Sequence, residues 1–309
     1  MAGCFNRHFF STLAMATAAV CCLAATAQAQ VQLKWKFQQG QKLNLQLAQD
    51  MTIAMAVQGQ AINQKIRMGM DLAWNVKEVD SQGVATIDQK FSRIRMNMDT
   101  PFGKIEVDTD KAEHEGPAAQ IADQLKPLTQ GTITQKMDPS GKVLEVKLDE
   151  KATEALANNP QFKEMFGEQG MKEMFGQSMV MLPEKAVNMG ETWNNSLGAK
   201  TPFGEVKLDS QYTYQGMAEH NGKQMAKIGI KGTMKIAKDE AAPQQPQQQL
   251  KLDIKDSNIT GTAWFDVDAG RLANTEVQQK ANMTMEAGGQ TLEPSITTDT
   301  KLQVQPTAQ

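Results

Sequence analysis

Cysteine is almost missing from this sequence. Three occur in 309 residues, at Cys4, Cys21 and Cys22, all within the first 29 positions. If that segment is a cleaved leader, as argued below, the rest of the chain has no thiol. It then has no disulfide, no cysteine-ligated metal and no cysteine nucleophile. Histidine is nearly as scarce. Beyond the leader only His114 and His220 remain, little for general acid–base chemistry near neutral pH. No charge dominates either: 32 basic residues face 35 acidic ones, a net charge of −3. Loss of the leader removes Arg7 and no acid, so the remainder is one unit more acidic. That balance argues against nucleic acid as a partner. No Gly-x-Ser-x-Gly elbow, phosphate-cradling glycine loop or His-Glu-x-x-His occurs, and no pair of carboxylates is singled out for hydrolysis. The expectation is a protein that is not an enzyme and holds no cofactor and no metal.

Long apolar runs are absent but for one. After Arg7 and His8, the stretch from Phe9 to about Thr26 is Ala-rich and too short for a comfortable membrane span. It ends at Ala27-Gln28-Ala29, a small-x-small cleavage pattern. Residues 1–29 therefore read as a secretory signal cut after Ala29, or alternatively after Ala27, which places the protein in the periplasm or outside the cell without stable membrane insertion.

What is present is alternation. From Leu43 to Val57 the odd positions read Leu, Leu, Leu, Gln, Met, Ile, Met, Val, a period of two that marks a strand with one buried face. Gln58-Gly59-Gln60 gives a turn, and the return strand carries Ile62, Ile66, Met68, Met70, Leu72, Trp74 and Val76 in phase. After Asp80–Gly83, apolar residues sit at Ala85, Ile87 and Phe91, then shift phase to Ile94, Met96 and Met98, which predicts a β-bulge near Ser92-Arg93. A short strand follows from Phe102 to Val107. Strands of some fifteen residues, about 50 Å at 3.3 Å each, must twist and coil, so a strongly curved antiparallel sheet is expected.

The middle of the chain changes period. Ala118, Ile121, Ala122 and Leu125 fall at helical spacing. From Asp149 to about Ser178 two apolar clusters follow, Phe162/Met165/Phe166 and Met171/Met174/Phe175/Met179, with Glu-Met-Phe-Gly repeated at 164–167 and 173–176. This apolar stripe is expected to cover the sheet. Alternation returns at Val206, Leu208, Tyr212 and Tyr214, turns at His220-Asn221-Gly222 and continues through Ala226, Ile228, Ile230, Met234 and Ile236. Residues 241–249 (AAPQQPQQQ) read as a disordered loop tip, and closing strands end the chain. The Asp138–Val143 turn echoes Asp268–Leu272 in a similar context, a hint of two related halves. The expected organisation is 1–29 signal, 30–148 N-terminal β half, 149–183 helical connector and 184–309 C-terminal β half. The fold class is α+β, β-dominated: a large curved antiparallel sheet, half-barrel or sandwich-like, packed against a central helical segment.

Twenty methionines are the unusual abundance. Met68/Met70, Met96/Met98, Met179/Met181 and Met283/Met285 come as Met-x-Met, which on a strand shares one face. Thioether pairs could hold Cu(I), yet here they continue rows of Ile, Leu and Trp. Flexible, polarizable methionines also suit a face that adapts to varied apolar ligands, and Met68, Met70, Trp74, Met96 and Met98 are the candidate ligand-facing residues. The acidic run Asp108–Glu115 around His114 could attract calcium, but it lacks the glycine of a calcium loop and reads as a solvated charge run. His220 reads as a solvated turn residue.

The stretch Leu182–Trp193 (LPEKAVNMGETW) resembles a secreted bacterial family of unknown function, common in planctomycetes, domain of unknown function 6263. Trp35-Lys36-Phe37 with Gly40, Trp74–Asp80 with Gly83, and the Asp138–Val143 turn fit the same resemblance. It implies export and a β-rich domain and assigns no activity. Two readings follow. One is an exported carrier or sensor of an apolar, lipid-like ligand on the Met-rich concave face, with the helices as a lid. The other is a structural or interaction module of the cell envelope with a filled core and a protein partner.

Overall fold

The computed structural model describes residues 30–307, apart from 58, 101–102, 158–166, 202–203, 238–250 and 288–289. The expected signal segment and the 241–249 loop tip lie outside the described residues, as do Phe162, Met165 and Phe166. In chain order the elements are β1 (Lys42–Val57), β2 (Gln60–Val79), β3 (Ala85–Thr100), β4 (Gly103–Asp108), α1 (Pro117–Gln130), β5 (Ile133–Met137), β6 (Val143–Leu148), α2 (Glu150–Ala157), α3 (Glu168–Ser178), β7 (Thr192–Thr201), β8 (Gly204–His220), β9 (Lys223–Ala237), β10 (Lys251–Asp266), β11 (Arg271–Ala287), β12 (Gln290–Leu292) and β13 (Ser295–Pro306).

All thirteen strands belong to one antiparallel sheet, in the order β6-β5-β3-β2-β1-β13-β11-β10-β9-β8-β7, with β4 beside β3 and β12 beside β11. The sheet is long and not closed. The second half, β7 to β11, is a meander; the first, β1 to β6, is one except that β4 and β5 both pair with β3. The last strand joins them: β13 pairs with β1 on one side and β11 on the other. The long strands follow the alternation read from the sequence. β1 has 16 residues and β2 has 20. The phase change in β3 is a bulge at Ser92, where the register with β2 slips between Asp71 and Leu72. Asn221 (φ 52°) and Gly222 (φ 76°) both adopt the left-handed region, the requirement of a tight type I′ hairpin between β8 and β9.

The sheet curls around one core. At one end, here the base, the residues 31–37 run across the interior with Leu33, Trp35 and Phe37 buried. Trp35 stacks on Phe37 (centroids 5.2 Å apart) and meets Phe265 edge-on at 6.2 Å. Two consecutive amides of this segment are held by hairpin tips from opposite halves. Trp35 N–H donates to the Pro139 carbonyl and Lys36 N–H to the Gly270 carbonyl, each at 2.8 Å. These are the two echoing turns of the sequence, and each needs its glycine. Gly141 (φ 90°) leaves a Cβ only 3.2 Å from Trp35 Nε1, and at Gly270 (φ 60°) a Cβ would stand 2.3 Å from the Lys36 side chain.

The edge strands β6 and β7 are not paired with each other. α3 packs against both and fills the seam, which is why the sheet stays open. Met171 and Phe175 from α3, and Met179 and Val180 just beyond it, are buried, as the helical spacing predicts. Leu182 N–H donates to the Ser140 carbonyl at 2.8 Å and Trp193 Nε1 to the Met181 carbonyl at 2.6 Å, tying the chain after α3 to both edges. α1 runs five residues beyond the expected Leu125, burying Leu125 and Leu128 against β3 and β4.

Two expectations are corrected. His220 is not a free turn residue: its ring stacks on Trp264 with centroids 4.5 Å apart, because the type I′ turn places it in the strand rather than at the tip. The Asp108–Glu115 run is not simply solvated. Arg93 donates to both oxygens of the Asp108 carboxylate, at 2.9 and 2.5 Å, and His114 Nε2 accepts from the Asp108 amide at 3.0 Å. The Arg93 guanidinium holds the Asp108 carboxyl down to about 2, chiefly through that hydrogen bond.

Candidate ligand-binding site

The inner face of the sheet is built from side chains in phase along each strand, so the register decides what meets what. Across β1, β2 and β3 the rungs read Leu43–Trp74–Gln89, Leu47–Met70–Ile94 and Gln49–Met68–Met96, with Ile66 opposite Met98 one rung further. All five residues singled out by sequence therefore share one face. Their surroundings differ. Trp74 and Met70 are buried in the packed base, whereas Met68, Met96 and Met98 are half-buried.

This contrast describes the whole inner face. Along β1, Leu43 and Leu45 are buried, and then Leu47, Gln49, Met51, Ile53 and Met55 are all half-buried. On the opposite wing Met234, Ile254, Met283 and Met285 are likewise half-buried. The apolar lining thus continues beyond the core as a trough open towards the strand ends, while charged pairs such as Arg95–Asp71 and Lys301–Glu276, both 2.8 Å apart, occupy the outer face.

Where the trough meets the core, a cavity of about 40 Å³ lies between the sheet and α3. Leu45, Leu47, Met70, Leu72, Phe91 and Leu302 line it from the sheet, and Met174, Phe175 and Met179 cover it. Its polar members are Trp74, one of the five candidates, and Gln89 and Gln135, which a count of apolar residues passes over. Both glutamines stand at in-phase positions of strands otherwise apolar there, Ile87-x-Gln89-x-Phe91 and Ile133-x-Gln135-x-Met137, and a polar residue in phase within an apolar row is the signal that finds them. Gln89 Oε1 accepts from Trp74 Nε1 at 2.5 Å and from Gln135 Nε2 at 3.4 Å. A second recess, an open groove of about 930 Å³, runs between α3 and the free edge of β7 past Trp193 and Leu197.

Among the described residues no cluster of three His, Cys, Asp or Glu has metal-holding geometry. No described helix is long and apolar enough to cross a membrane, which leaves strands unaddressed.

The model of the family of unknown function DUF6263 matches residues 82–272. The span includes the Leu182–Trp193 stretch and the Asp138–Val143 turn but not Trp35 or Trp74. No curated protein matches. Among solved structures the chain is similar to lipovitellin, at 9% identity and TM-score 0.49 over 88% of this chain. The matched part is only 26% of lipovitellin, from a structure concerned with lipid–protein interactions. It is also similar to DynF of the dynemicin pathway of Micromonospora chersina (11% identity, TM-score 0.20, 89% of this chain and 85% of that one). A third is a DUF1329 family protein from Desulfovibrio piger (9% identity, TM-score 0.14, 82% and 83%).

Proposed function

The chain belongs to the DUF6263 family, for which no function is assigned, and we propose that it is an exported, non-enzymatic protein that carries or senses an apolar, lipid-like ligand in the trough. One observation carries this reading. The apolar inner face outlasts the core, so Met51, Ile53, Met68 and Met96 are left half-buried on a curved surface. Contiguous apolar surface of this kind is costly in water and marks a binding face, and methionine lets it repack around different hydrocarbon shapes. The export half of the reading rests on the Met1–Ala29 pattern alone.

The test is native mass spectrometry of protein purified without detergent, followed by addition of fatty acids and phospholipids. A bound lipid-sized mass, or uptake of the added lipids, is expected. Met96→Asp should abolish it without unfolding the chain, because Met96 is half-buried. Met70 is unsuitable for this purpose: it is 8% exposed, and a charge there would disrupt the core. An apo mass with no uptake overturns the carrier reading.

A second reading has its own observation. Among the described residues β7 pairs only with β8, and its other edge faces the groove beside α3, so an extended segment of an envelope protein could add there as a further strand. A clean apo mass would favour it.

A further inference from the structure

Resting on the carrier reading, we propose that Gln89 and Gln135 form the polar floor of the trough and select a ligand ending in a hydroxyl group. Gln89 is 0% exposed and Gln135 1%, in a cavity otherwise made of aliphatic, methionine and aromatic side chains. Their orientation is fixed by the network. Trp74 Nε1 can only donate, so Gln89 turns Oε1 towards it, and Gln135 must then offer Nε2 to the same oxygen. What remains is a donor and an acceptor without partners, Gln89 Nε2 and Gln135 Oε1, on two residues that line the cavity.

A buried amide left unpaired costs free energy. One group that both accepts and donates satisfies the two at once, and a hydroxyl is the smallest that also carries a hydrocarbon body. Its oxygen accepts from Gln89 Nε2 and its hydrogen goes to Gln135 Oε1. The size is compatible: a cavity of about 40 Å³ has room for a small polar end. So is the charge. Among the described residues no Lys, Arg or His lines the cavity, so they offer a carboxylate or phosphate no counter-ion. The hydrocarbon body runs outward along Leu47 and Met70 to the next rung, Gln49–Met68–Met96, which is where the trough begins. A single water could pair with the same two atoms, so the comparison of a hydroxyl-bearing with a hydroxyl-free probe carries the test.

Undecan-1-ol and 1-methoxydecane are isomers that differ in the hydroxyl hydrogen. Each is used to displace N-phenyl-1-naphthylamine from the full chain. The alcohol should bind about tenfold more tightly than the ether, the effect of one good hydrogen bond. Gln135→Met keeps the volume and removes the acceptor, so it should shrink the ratio to within about twofold while ether affinity holds. Should that variant fail to fold, the wild type still answers. The side-chain amide resonance of Gln89 should shift with the alcohol and stay in place with the ether. Equal affinity of the two probes in the wild type, a ratio unmoved by Gln135→Met, or an unshifted Gln89 amide overturns the hydroxyl site and leaves apolar carriage standing. Failure of the naphthylamine and both isomers to bind at all overturns carriage itself, and the site with it.

Discussion

Single residues here are held by geometry that pattern reading undervalues. Asp108 lies in an acidic run that looks solvated, yet its carboxylate receives both arms of Arg93 and is 14% exposed. Its folded-state pKa is depressed from an ordinary 3.8 to about 2. A depressed carboxylate contributes stability that is fully present above the unfolded value and is lost as pH falls through the folded one. Urea midpoints should therefore fall as pH drops from about 4 towards about 2, and Asp108→Asn should flatten that part of the profile. At neutral pH the same variant should cost about 1 kcal/mol, a figure reduced for the solvent around Arg93. An unchanged profile in Asp108→Asn would show that the pair contributes nothing to folding.

At the scale of elements the informative piece is α3, because it packs against both edge strands of the open sheet, β6 and β7. Its stripe Met171, Met174, Phe175 is buried or half-buried against β6 and β7, and Met171 is 0% exposed. Met171→Ala should lower stability by about 2–5 kcal/mol, as for other buried methionines cut to alanine. Lys172→Ala, on the same helix, should stay within about 0.5 kcal/mol. Chemical denaturation of both variants checks this, and equal effects would mean that α3 does not seal the seam. The sequence made the stripe legible, since i, i+3, i+4 spacing is a local property. It also made β1, β2, β8 and β9 legible, and even the bulge at Ser92, because each follows from a period of two and its phase. β7 was not legible. Its residues Thr192–Thr201 (TWNNSLGAKT) alternate weakly, as an edge strand with one neighbour permits. The Gln89–Gln135 pair was missed for a related reason: counting apolar residues finds the row and steps over the polar member that gives it chemistry.

For the whole molecule the decisive strand is the last. A tandem of two meanders would ordinarily be two domains, each with its own core. Here β13 hydrogen-bonds to β1 of the first half and β11 of the second, and the 31–37 segment is gripped by Pro139 from one half and Gly270 from the other. Trp35 then packs among residues of both, within 6.2 Å of Trp74 and of Phe265. Neither meander can bury its inner face alone, so the described residues should unfold as one unit. Urea unfolding followed by far-UV circular dichroism and by tryptophan fluorescence should give coincident curves, because the four tryptophans sit in both halves. Trp35→Ala should shift both curves together by about 3–5 kcal/mol. Two separated transitions, or a shift confined to one signal, would mean that each meander holds a core of its own, and the trough would then be a cleft between domains rather than the inside of one sheet. The same coupling bears on carriage. If the molecule has one core, lipid binding at any part of the trough should raise the single midpoint rather than broaden it.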